Sequence, residues 1–389
     1  MSNQYDVIVV GAGPGGSNAA RHFAKQGWKV LMLDRQKFPR VKICAGWITP
    51  PALRLLDLKP SDYPHTLQRF SSGSVVLGDR YYETDYGTTA SYGIIRQEFD
   101  TFLARRAQAS GVEFLEEVRI KSIERGDSPD ALVRVRSEDG TEWTTKLIIG
   151  AGGTGCPVAR QWGEKSKEEI IVQATESETK LGADLLRTLT PYYGTTELFP
   201  EPDFFGYAWF VTKGDWVNIG IGRFSHRTKQ LDTHRDQFME QLRKLGRLKG
   251  IEDKIVPFGR HAYKLYDEVP RKLFGDRFML IGDAAGFASK WAGEGIRPAI
   301  ETGEFAARVG NAALKAQNLS ANSLSPYKQL CDHAYGPQKD TTMGRLISGL
   351  PGSVQTGVGT VICKSDYLRK KLIFEAAFGF EPVRDPVYL

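Results

Sequence analysis

The sequence contains few of the residues that build disulfide frameworks or metal sites. Its 389 residues include four cysteines and six histidines. The cysteines are scattered, with no CxxC pair and no histidine at ligand spacing, at Cys44, Cys156, Cys331 and Cys363. This pattern disfavours both a disulfide scaffold and a zinc site. We therefore expect a protein of the reducing cytoplasm that holds no metal.

A long apolar run and a strong excess of either charge are also missing. No stretch reaches the roughly 18 apolar residues that cross a bilayer, and no basic signal-type segment precedes the first strand pattern. The net charge is +6, and most basic residues lie among acidic ones, which disfavours a nucleic-acid surface. With 41% hydrophobic residues, the composition is that of a folded globular protein with a large core.

Glycine is abundant, at 41 residues, and it clusters after short apolar segments. Residues 6–10 are typical of a buried strand, residues 17–26 have helical composition, and residues 29–33 predict a second strand, which together make a βαβ unit. Residues 146–149 and 277–281 repeat the pattern of a strand followed by glycines. We predict three parallel strands that end at one edge of a sheet.

Segments with hairpin character lie between these strands. Apolar alternation broken by turn residues predicts antiparallel pairs at 74–86, 131–149 and 207–221. Amphipathic helices are predicted at 97–111 and 228–245. Because parallel and antiparallel pieces alternate along the chain, we expect two domains that interrupt each other.

The motif G-x-G-x-x-G occupies residues 11–16 as GAGPGG, directly after the first strand. Gly11 permits a tight turn, Gly13 lets backbone N–H groups approach a pyrophosphate, and Gly16 lets helix and strand pack. The helix N-terminus adds a partial positive charge. Asp34 ends the next strand, where it can accept hydrogen bonds from a ribose. The motif predicts a dinucleotide site and leaves open whether FAD or NAD occupies it.

A later strand that ends in Gly282-Asp283 favours FAD, because a carboxylate there suits the ribityl chain of a flavin. The sequence then resembles the geranylgeranyl reductase family, within the para-hydroxybenzoate hydroxylase-type flavoproteins. The resemblance covers about residues 5 to 310. It rests on four motifs in order: 11–16 with Asp34, the segment 38–46 (FPRVKICAG), Tyr207-Ala208-Trp209, and 282–286 (GDAAG) leading to 293–296 (GEGI).

The resemblance implies an α/β (mixed α+β) fold, in which a Rossmann-like FAD-binding domain is interleaved with a mostly antiparallel substrate domain and followed by a C-terminal helical segment. We place the FAD-binding domain at 1–70, 95–165 and 270–325, the substrate-binding domain at 71–94 and 166–269, and the C-terminal helical region at 326–389.

The resemblance also implies a set of FAD-binding residues. Asp283 resembles the carboxylate that binds the ribityl or phosphate region, and Arg96 resembles an arginine before a helix that contacts the cofactor. The helix near Ile296 is expected to aim N–H groups at the flavin N1/C2 edge, where negative charge accumulates on reduction. The full set is Gly11, Gly13, Pro14, Gly15, Gly16, Asp34, Arg35, Arg40, Cys44, Ala45, Arg96, Gly282, Asp283, Gly293, Gly295 and Ile296.

Three residues are candidates for the chemistry itself. Cys44, in the loop that the resemblance places beside the flavin ring, is a candidate proton donor to a substrate carbon, with a small packing thiol as the alternative. Lys290 is a candidate cation near reduced flavin or an anionic substrate, with a solvated loop lysine as the alternative. Trp209, with Tyr207, suits an apolar tunnel for a prenyl chain, with an aromatic core as the alternative.

The implied activity is an FAD-dependent oxidoreductase that reduces double bonds of a polyprenyl (geranylgeranyl-like) group on a lipid, quinone or pigment precursor. The alternatives are a flavin monooxygenase, either a hydroxylase or a halogenase, and a flavin-bearing electron-transfer protein without a reaction of its own. Residues 207–212 lack the first Trp and the Pro of a W-x-W-x-I-P stretch, which disfavours halogenation. Residues 150–153 (GAGG) replace an Asp-Gly pair, which disfavours hydroxylation.

The expected partners follow from this chemistry. No second G-x-G-x-x-G is present, so electrons would come from transiently bound NAD(P)H or from a small electron-donor protein such as reduced ferredoxin. The substrate would be a hydrophobic small molecule with a prenyl chain, and no nucleic acid is expected. Arg369, Lys370 and Lys371 beside the apolar residues 372–374 predict peripheral contact with an anionic membrane, with a charged helix face as the alternative.

Overall fold

The computed structural model describes residues 3–126, 131–164, 170–190, 192–225, 230–265, 272–289, 292–336 and 352–388. The chain divides into two compact units. The first unit comprises Met1–Val41, Gln97–Ile170 and Tyr263–Lys339, and the second comprises Lys42–Arg96, Ile171–Ala262 and Asp340–Leu389. The C-terminal region 326–389 is divided between the two units and is not a unit of its own.

The strands are, in chain order, β1 (Gln4–Val10), β2 (Val30–Leu33), β3 (Trp47–Ile48), β4 (Leu67–Phe70), β5 (Ser72–Leu77), β6 (Arg80–Asp85), β7 (Ser91–Ile94), β8 (Glu113–Leu115), β9 (Ile120–Arg125), β10 (Val133–Ser137), β11 (Glu142–Gly150), β12 (Ile171–Lys180), β13 (Thr196–Pro200), β14 (Gly206–Lys213), β15 (Trp216–Phe224), β16 (Gly259–Lys264), β17 (Phe274–Gly275) and β18 (Phe278–Leu280).

The helices are α1 (Pro14–Lys25), α2 (Pro50–Leu55), α3 (Arg96–Gln108), α4 (Pro157–Trp162), α5 (Ala183–Leu189), α6 (Leu231–Lys244), α7 (Ile296–Lys315), α8 (Ala321–Leu324), α9 (Pro326–Tyr335), α10 (Gly352–Lys364) and α11 (Asp366–Leu368), which continues as a π-helical segment over Arg369–Ala377. Short 3₁₀ turns lie at Pro60–Asp62, Gly153–Gly155, Glu252–Lys254, Gly282–Ala284 and Pro386–Tyr388.

A largely parallel sheet forms the centre of the first unit, in the order β17-β18-β11-β1-β2-β8, with β10 and β9 continuing antiparallel from β11. β1 pairs in parallel with β2 and with β11, and β11 pairs in parallel with β18. Val7, Ile8 and Val9 are fully buried, as in a parallel strand covered on both faces. The predicted βαβ unit and the three parallel strands that end at one edge are confirmed.

Helix α1 begins at Pro14, a position where the missing N–H has no intrahelical partner to lose. Its small residues let α7 approach closely. A Cβ at Gly15 would lie 2.9 Å from the carbonyl carbon of Ala299, and a Cβ at Gly303 would lie 2.6 Å from the carbonyl oxygen of Gly15. The two helices therefore pack backbone to backbone beside the glycine motif.

Antiparallel strands dominate the second unit, as predicted. Its larger sheet has the order β16-β12-β15-β14-β13-β5-β6, and a smaller one has the order β3-β7-β4. The predicted hairpins β5–β6 and β14–β15 are present, as is β10–β11 in the first unit. Phe210 and Ile219 belong to an apolar core that also includes Phe238 and Leu242 of α6. Because side chains alternate along a strand, every second residue of β14 and β15 lies on the face of the sheet opposite this apolar core.

The C-terminal segment corrects one prediction. Arg369, expected as a surface cation, is 1% exposed, and its guanidinium donates to Thr84 Oγ1 and to the Cys363 carbonyl, each at 2.9 Å. Phe374, expected as an apolar anchor, is fully buried. Both side chains are structural: the Arg369 guanidinium ties the helix end to Thr84 of β6, and Phe374 is part of the packed interior. Among the described residues, no helix has the length and apolar character that a bilayer crossing requires.

Candidate functional site

The carboxyl ends of four parallel strands meet at one edge of the first unit. Gly11 follows β1, Asp34 follows β2, Ala151 follows β11 and Gly282 lies just after β18. The ends are joined by backbone bonds, since the Gly11 N–H donates to the Leu33 carbonyl at 2.7 Å and the Ala151 N–H donates to the Val10 carbonyl at 2.8 Å. The structure therefore brings the glycine motif and the Gly282-Asp283 motif to the same edge.

At three of the four motif glycines a Cβ atom would overlap backbone atoms, and at the fourth it would not. Gly11 has φ +111°, and a Cβ at Gly11, Gly15 or Gly16 would overlap backbone atoms. Gly13 is the exception, because the nearest atom to its Cβ position is Arg40 Nη2 at 3.6 Å. A side chain at Gly13 would fill the space in front of the α1 N-terminus and would not disturb the protein. This open cradle at a helix N-terminus fits a pyrophosphate.

Asp34 is 9% exposed and braces the glycine loop. Its Oδ2 accepts from the Ala12 N–H and its Oδ1 accepts from the Gln36 N–H, each at 2.9 Å. An ionised carboxylate has about four acceptor positions, so two remain for ribose hydroxyls. The neighbouring Arg35 is exposed.

Arg40 lies beside the Gly13 cradle. Its Nη2 is 3.0 Å from Asp100 Oδ2, with side-chain exposures of 9% and 0%, and its guanidinium lies 4.8 Å from the ring centroid of Phe38. Its Nε is buried and has no hydrogen-bond partner among the described residues. A buried N–H donor without a partner is costly, and an anionic or carbonyl group of a bound cofactor would satisfy it.

The Gly282-Asp283 motif faces the start of α7. Gly282 has φ +55°, and its N–H donates to Thr302 Oγ1 at 3.1 Å. A Cβ at Gly295, the residue before α7, would lie 3.1 Å from Asp283 Oδ1. Ile296, the first residue of α7, is buried. The carboxylate thus lies at a helix N-terminus, where the partial positive charge stabilises it.

Two further predicted residues complete the list for the first unit. Gly293 has φ +66° and lies against the Tyr263 ring. Lys290 falls outside the described residues, so its proposed role stays a prediction.

The second unit contains Cys44, Ala45, Arg96 and Trp209. Cys44 is a half-buried free thiol, and Arg96 is a buried residue that begins α3. The Gly46 N–H lies 3.4 Å from Cys44 Sγ. We name residues 44–46 the cysteine loop. The structure therefore divides the predicted site residues between the two units, with the glycine and carboxylate motifs in the first and the candidate proton donor in the second.

A buried lysine that the sequence analysis did not single out, Lys213, holds the cysteine loop. Lys213 has a fully buried side chain, and its Nζ donates to the Ala45 carbonyl at 2.8 Å, the Ile94 carbonyl at 2.9 Å and Glu178 Oε1 at 2.6 Å. All three donors of the ammonium group are therefore used. The cation fastens the loop to the end of β7 and neutralises one carboxylate.

Trp209 lies on the same face of the sheet. Its Nε1 donates to Asn218 Oδ1 at 2.6 Å, and Asn218 Nδ2 donates to Glu178 Oε1 at 3.0 Å and to the Cys44 carbonyl at 3.3 Å. A Cβ at Gly220 would lie 2.6 Å from Trp209 Cε2, so glycine is needed to seat the indole. Trp209 thus positions the cysteine loop through Asn218.

Glu176, which sequence reasoning missed, completes this cluster. It is 3% exposed, and its Oε2 has no hydrogen-bond partner among the described residues. Burial and then the nearby Glu178 raise the pKa of Glu176 to about 7, against the opposing effects of the Cys44 backbone, Lys213 and Asn218. Side-chain alternation in β12 places Glu176 and Glu178 on one face of the sheet. Which residues of the neighbouring strands they contact depends on the pairing register, which the sequence does not show.

In the parts of the chain that the structure describes, no three His, Cys, Asp or Glu side chains are grouped as metal ligands.

Comparisons with known proteins agree with this geometry. The model of the family described as "FAD binding domain" matches residues 4–303. The digeranylgeranylglycerophospholipid reductase of Methanococcus vannielii is 29% identical over 84% of this chain and 82% of its own. A geranylgeranyl bacteriochlorophyll reductase-like protein of Thermoplasma acidophilum has the same fold, with TM-score 0.78 and 21% identity over 96% of both chains. A variant of the halogenase PltM, in complex with FAD, matches with TM-score 0.68 and 19% identity over 86% of this chain and 75% of its own.

Proposed function

Because this chain belongs to the FAD binding domain family and is an FAD-dependent oxidoreductase, we propose that it reduces carbon–carbon double bonds in polyprenyl chains of a lipid. The observation that carries this proposal is the 29% identity, over 84% of the chain, to a relative named digeranylgeranylglycerophospholipid reductase. A quinone or pigment precursor with the same prenyl chain is a substrate of the same class.

The first unit supplies the FAD contacts in this proposal. The Gly13 cradle and the α1 N-terminus would hold the pyrophosphate, Asp34 the ribose, and Asp283 the ribityl region. Arg40, with its buried Nε, would bind an electronegative group of the cofactor. When bound, FAD supplies hydride transfer.

The second unit supplies the proton in this proposal. Saturation of a double bond adds a hydride to one carbon and a proton to its neighbour. Cys44, half-buried in a loop fastened by Lys213 and Asn218, would give that proton. Tyr207 and Trp209, with ring centroids 5.8 Å apart, and Phe378, whose ring centroid is 5.4 Å from that of Tyr207, would contact the prenyl chain.

The electron donor is proposed to be NAD(P)H bound transiently, with a small electron-donor protein such as reduced ferredoxin as the alternative. Contact with a membrane is proposed through α10, where Val354 and Val361 are 44% and 59% exposed and lie on one helix face. Lys364, exposed at the end of this helix, adds a cation that favours an anionic surface.

A flavin monooxygenase is the second candidate, favoured by the fold similarity to the halogenase PltM. One experiment separates the two functions. The purified flavoprotein is reduced anaerobically with NADPH or with reduced ferredoxin and is then mixed with prenyl lipid or with oxygen. A reductase is reoxidised by the prenyl lipid without oxygen and yields the saturated chain. Reoxidation only by oxygen, with a hydroxylated or halogenated product, would establish the monooxygenase.

The same experiment tests Cys44. Cys44→Ser should leave the flavin bound and reducible while slowing reoxidation by prenyl lipid about 100-fold, the usual contribution of a general acid. A wild-type rate of reoxidation in this variant would remove the thiol from the reaction.

A further inference from the structure

Glu176 lies behind the cysteine loop, on the face of the second unit's sheet that points away from the apolar core. β12 pairs with β15 so that Glu176 is opposite Gly220, and the Cβ position of Gly220 lies 2.9 Å from Glu176 Cβ. Because Gly220 has no side chain, the Trp209 indole and the Glu176 side chain share the space above it. The backbone of Cys44 is a hydrogen-bonding neighbour of the Glu176 carboxyl group.

The charges in this cluster do not balance if both carboxyl groups are ionised. Two glutamates, Glu176 and Glu178, lie beside one buried lysine. The three N–H donors of Lys213 are directed to Glu178 and to two backbone carbonyls. Lys213 therefore forms its ion pair with Glu178. Glu176 Oε2 has no hydrogen-bond partner within the described part of the chain. A buried ionised carboxylate with one oxygen that accepts no hydrogen bond is disfavoured, whereas a neutral carboxyl group is tolerated.

We propose that Glu176 is a positioning residue that stores a proton behind Cys44, holding the loop through the Cys44 backbone and restoring the thiol proton after each reduction. The inference rests on the proposed function, in which Cys44 is the proton donor. It assigns to Glu176 a role that a purely structural hydrogen-bonding residue would not have, namely a change of charge between turnover states.

The proton balance is closed by water. The hydride completes a C–H bond on one alkene carbon, and the Cys44 S–H bond breaks as the proton joins the other carbon. The thiolate then takes the proton of the Glu176 carboxyl group, and the Glu176 carboxylate takes one from solvent as the saturated product leaves. Two electrons and two hydrogens are added to the substrate, and the reduced FAD of the proposed function supplies the electron pair.

Other titratable groups around this cluster define the controls. Glu178 and Lys213 form an ion pair, Tyr207 lies next to Cys44, and Lys42 contacts His261 on the adjacent β16. Burial raises the pKa of Tyr207 far above neutrality. Glu176, with a pKa of about 7, is therefore the group expected to change charge near neutral pH, and His261 is replaced as a control because it lies on the adjacent strand.

The rate at which iodoacetamide alkylates Cys44 reports the charge of Glu176. The other three cysteines are 0–1% exposed, so native protein should react at Cys44, as checked by peptide mass spectrometry. The thiolate is the reacting form, and a nearby ionised carboxylate disfavours it. Since Gln stays neutral, the rate for Glu176→Gln divided by the rate for wild type should be near 1 at pH 6 and should rise to at least 3 by pH 8.

The controls separate this effect from altered packing. Glu197→Gln makes the same change at a different buried glutamate, which pairs with Arg247 and lies opposite Phe210 in the strand register. The alkylation rate of this variant divided by that of the wild type should not change with pH. His261→Gln should retain the wild-type pH profile. A constant ratio for Glu176→Gln between pH 6 and 8 would overturn the proposal.

Wild-type protein alone gives a second test if Glu176→Gln does not fold. A lone thiol well below its pKa reacts about tenfold faster per pH unit, and a carboxyl group that ionises nearby flattens this rise between pH 6.5 and 8. An unflattened profile would refute the stored proton. The assay uses FAD-loaded protein without substrate, so its outcome is independent of whether prenyl reduction is the reaction.

Discussion

Replacing Lys213 by methionine should destabilise the second unit far more than replacing a surface lysine. The side chain is fully buried, and Met keeps most of its length, so the change removes chiefly a charge and three hydrogen bonds. Breaking one partner of a buried ion pair costs about 3–5 kcal/mol, because the other charge is left without compensation. For a unit of this size, about 2–4 °C of melting temperature is lost per kcal/mol, so we expect a decrease of roughly 6–20 °C.

Urea unfolding followed by tryptophan fluorescence, together with thermal melting, measures the loss. Lys180→Met is the matched control on the same sheet, since Lys180 and Asp215 are 62% and 51% exposed and 3.9 Å apart. It should cost no more than about 1 kcal/mol. Adding Glu178→Gln to Lys213→Met removes the carboxylate left without its cation and should recover at least half of the lost stability.

Two results would contradict the reasoning. Lys213→Met could lose no more stability than Lys180→Met, which would mean that the ammonium group is not buried in an ion pair. The double variant could instead lose as much as the sum of the two single variants, which would mean that Lys213 and Glu178 act independently.

Three other predictions follow from particular contacts. Gly13→Ala should weaken FAD binding at least tenfold and leave the melting temperature of the apoprotein unchanged. Gly15→Ala should lower that melting temperature, because only the Cβ at position 15 would overlap backbone atoms. Flavin titration and thermal melting measure the two effects. The raised pKa of Glu176 stabilises the folded state while the carboxyl group is protonated, and this stabilisation is lost as the pH rises to about 7. Between pH 4.5 and 7 the free energy of unfolding of the wild type should therefore fall by up to about 3 kcal/mol more than that of Glu176→Gln. Urea titrations at several pH values measure this difference. Sedimentation should show salt-sensitive binding to anionic vesicles that Val361→Glu weakens, and equal binding to neutral vesicles, or none to either, would reject membrane contact.

The glycine motif and the strands around it could be predicted from the sequence because their signals are local. A buried strand, a glycine turn and a helix follow one another within residues 4–25, and the carboxylate Asp34 comes directly after the next strand. Parallel pairing then brings the ends of β1, β11 and β18 to one edge. Strand periodicity and the φ > 0 requirement of Gly11 are properties of short segments.

The burial of Arg369 could not be predicted from the sequence, because it depends on residues distant in the chain. A cluster of cations beside apolar residues is typical of a membrane-facing segment. Residues distant in the chain, Thr84 and Cys363, provide the acceptors that bury this guanidinium. Local charge alone does not reveal whether such acceptors are available.

The sequence by itself determined the glycine motif and the individual strands of the first unit's sheet, because each of these depends on residues close together in the chain. The tertiary structure alone decided that Glu176, Glu178, Lys213 and Asn218 share one buried cluster behind Cys44. Their grouping depends on the register of β12, β15 and β14. Since a shift of one residue would turn every side chain of a strand to the other face, long-range pairing determines which charges meet and which carboxyl group is left to hold a proton.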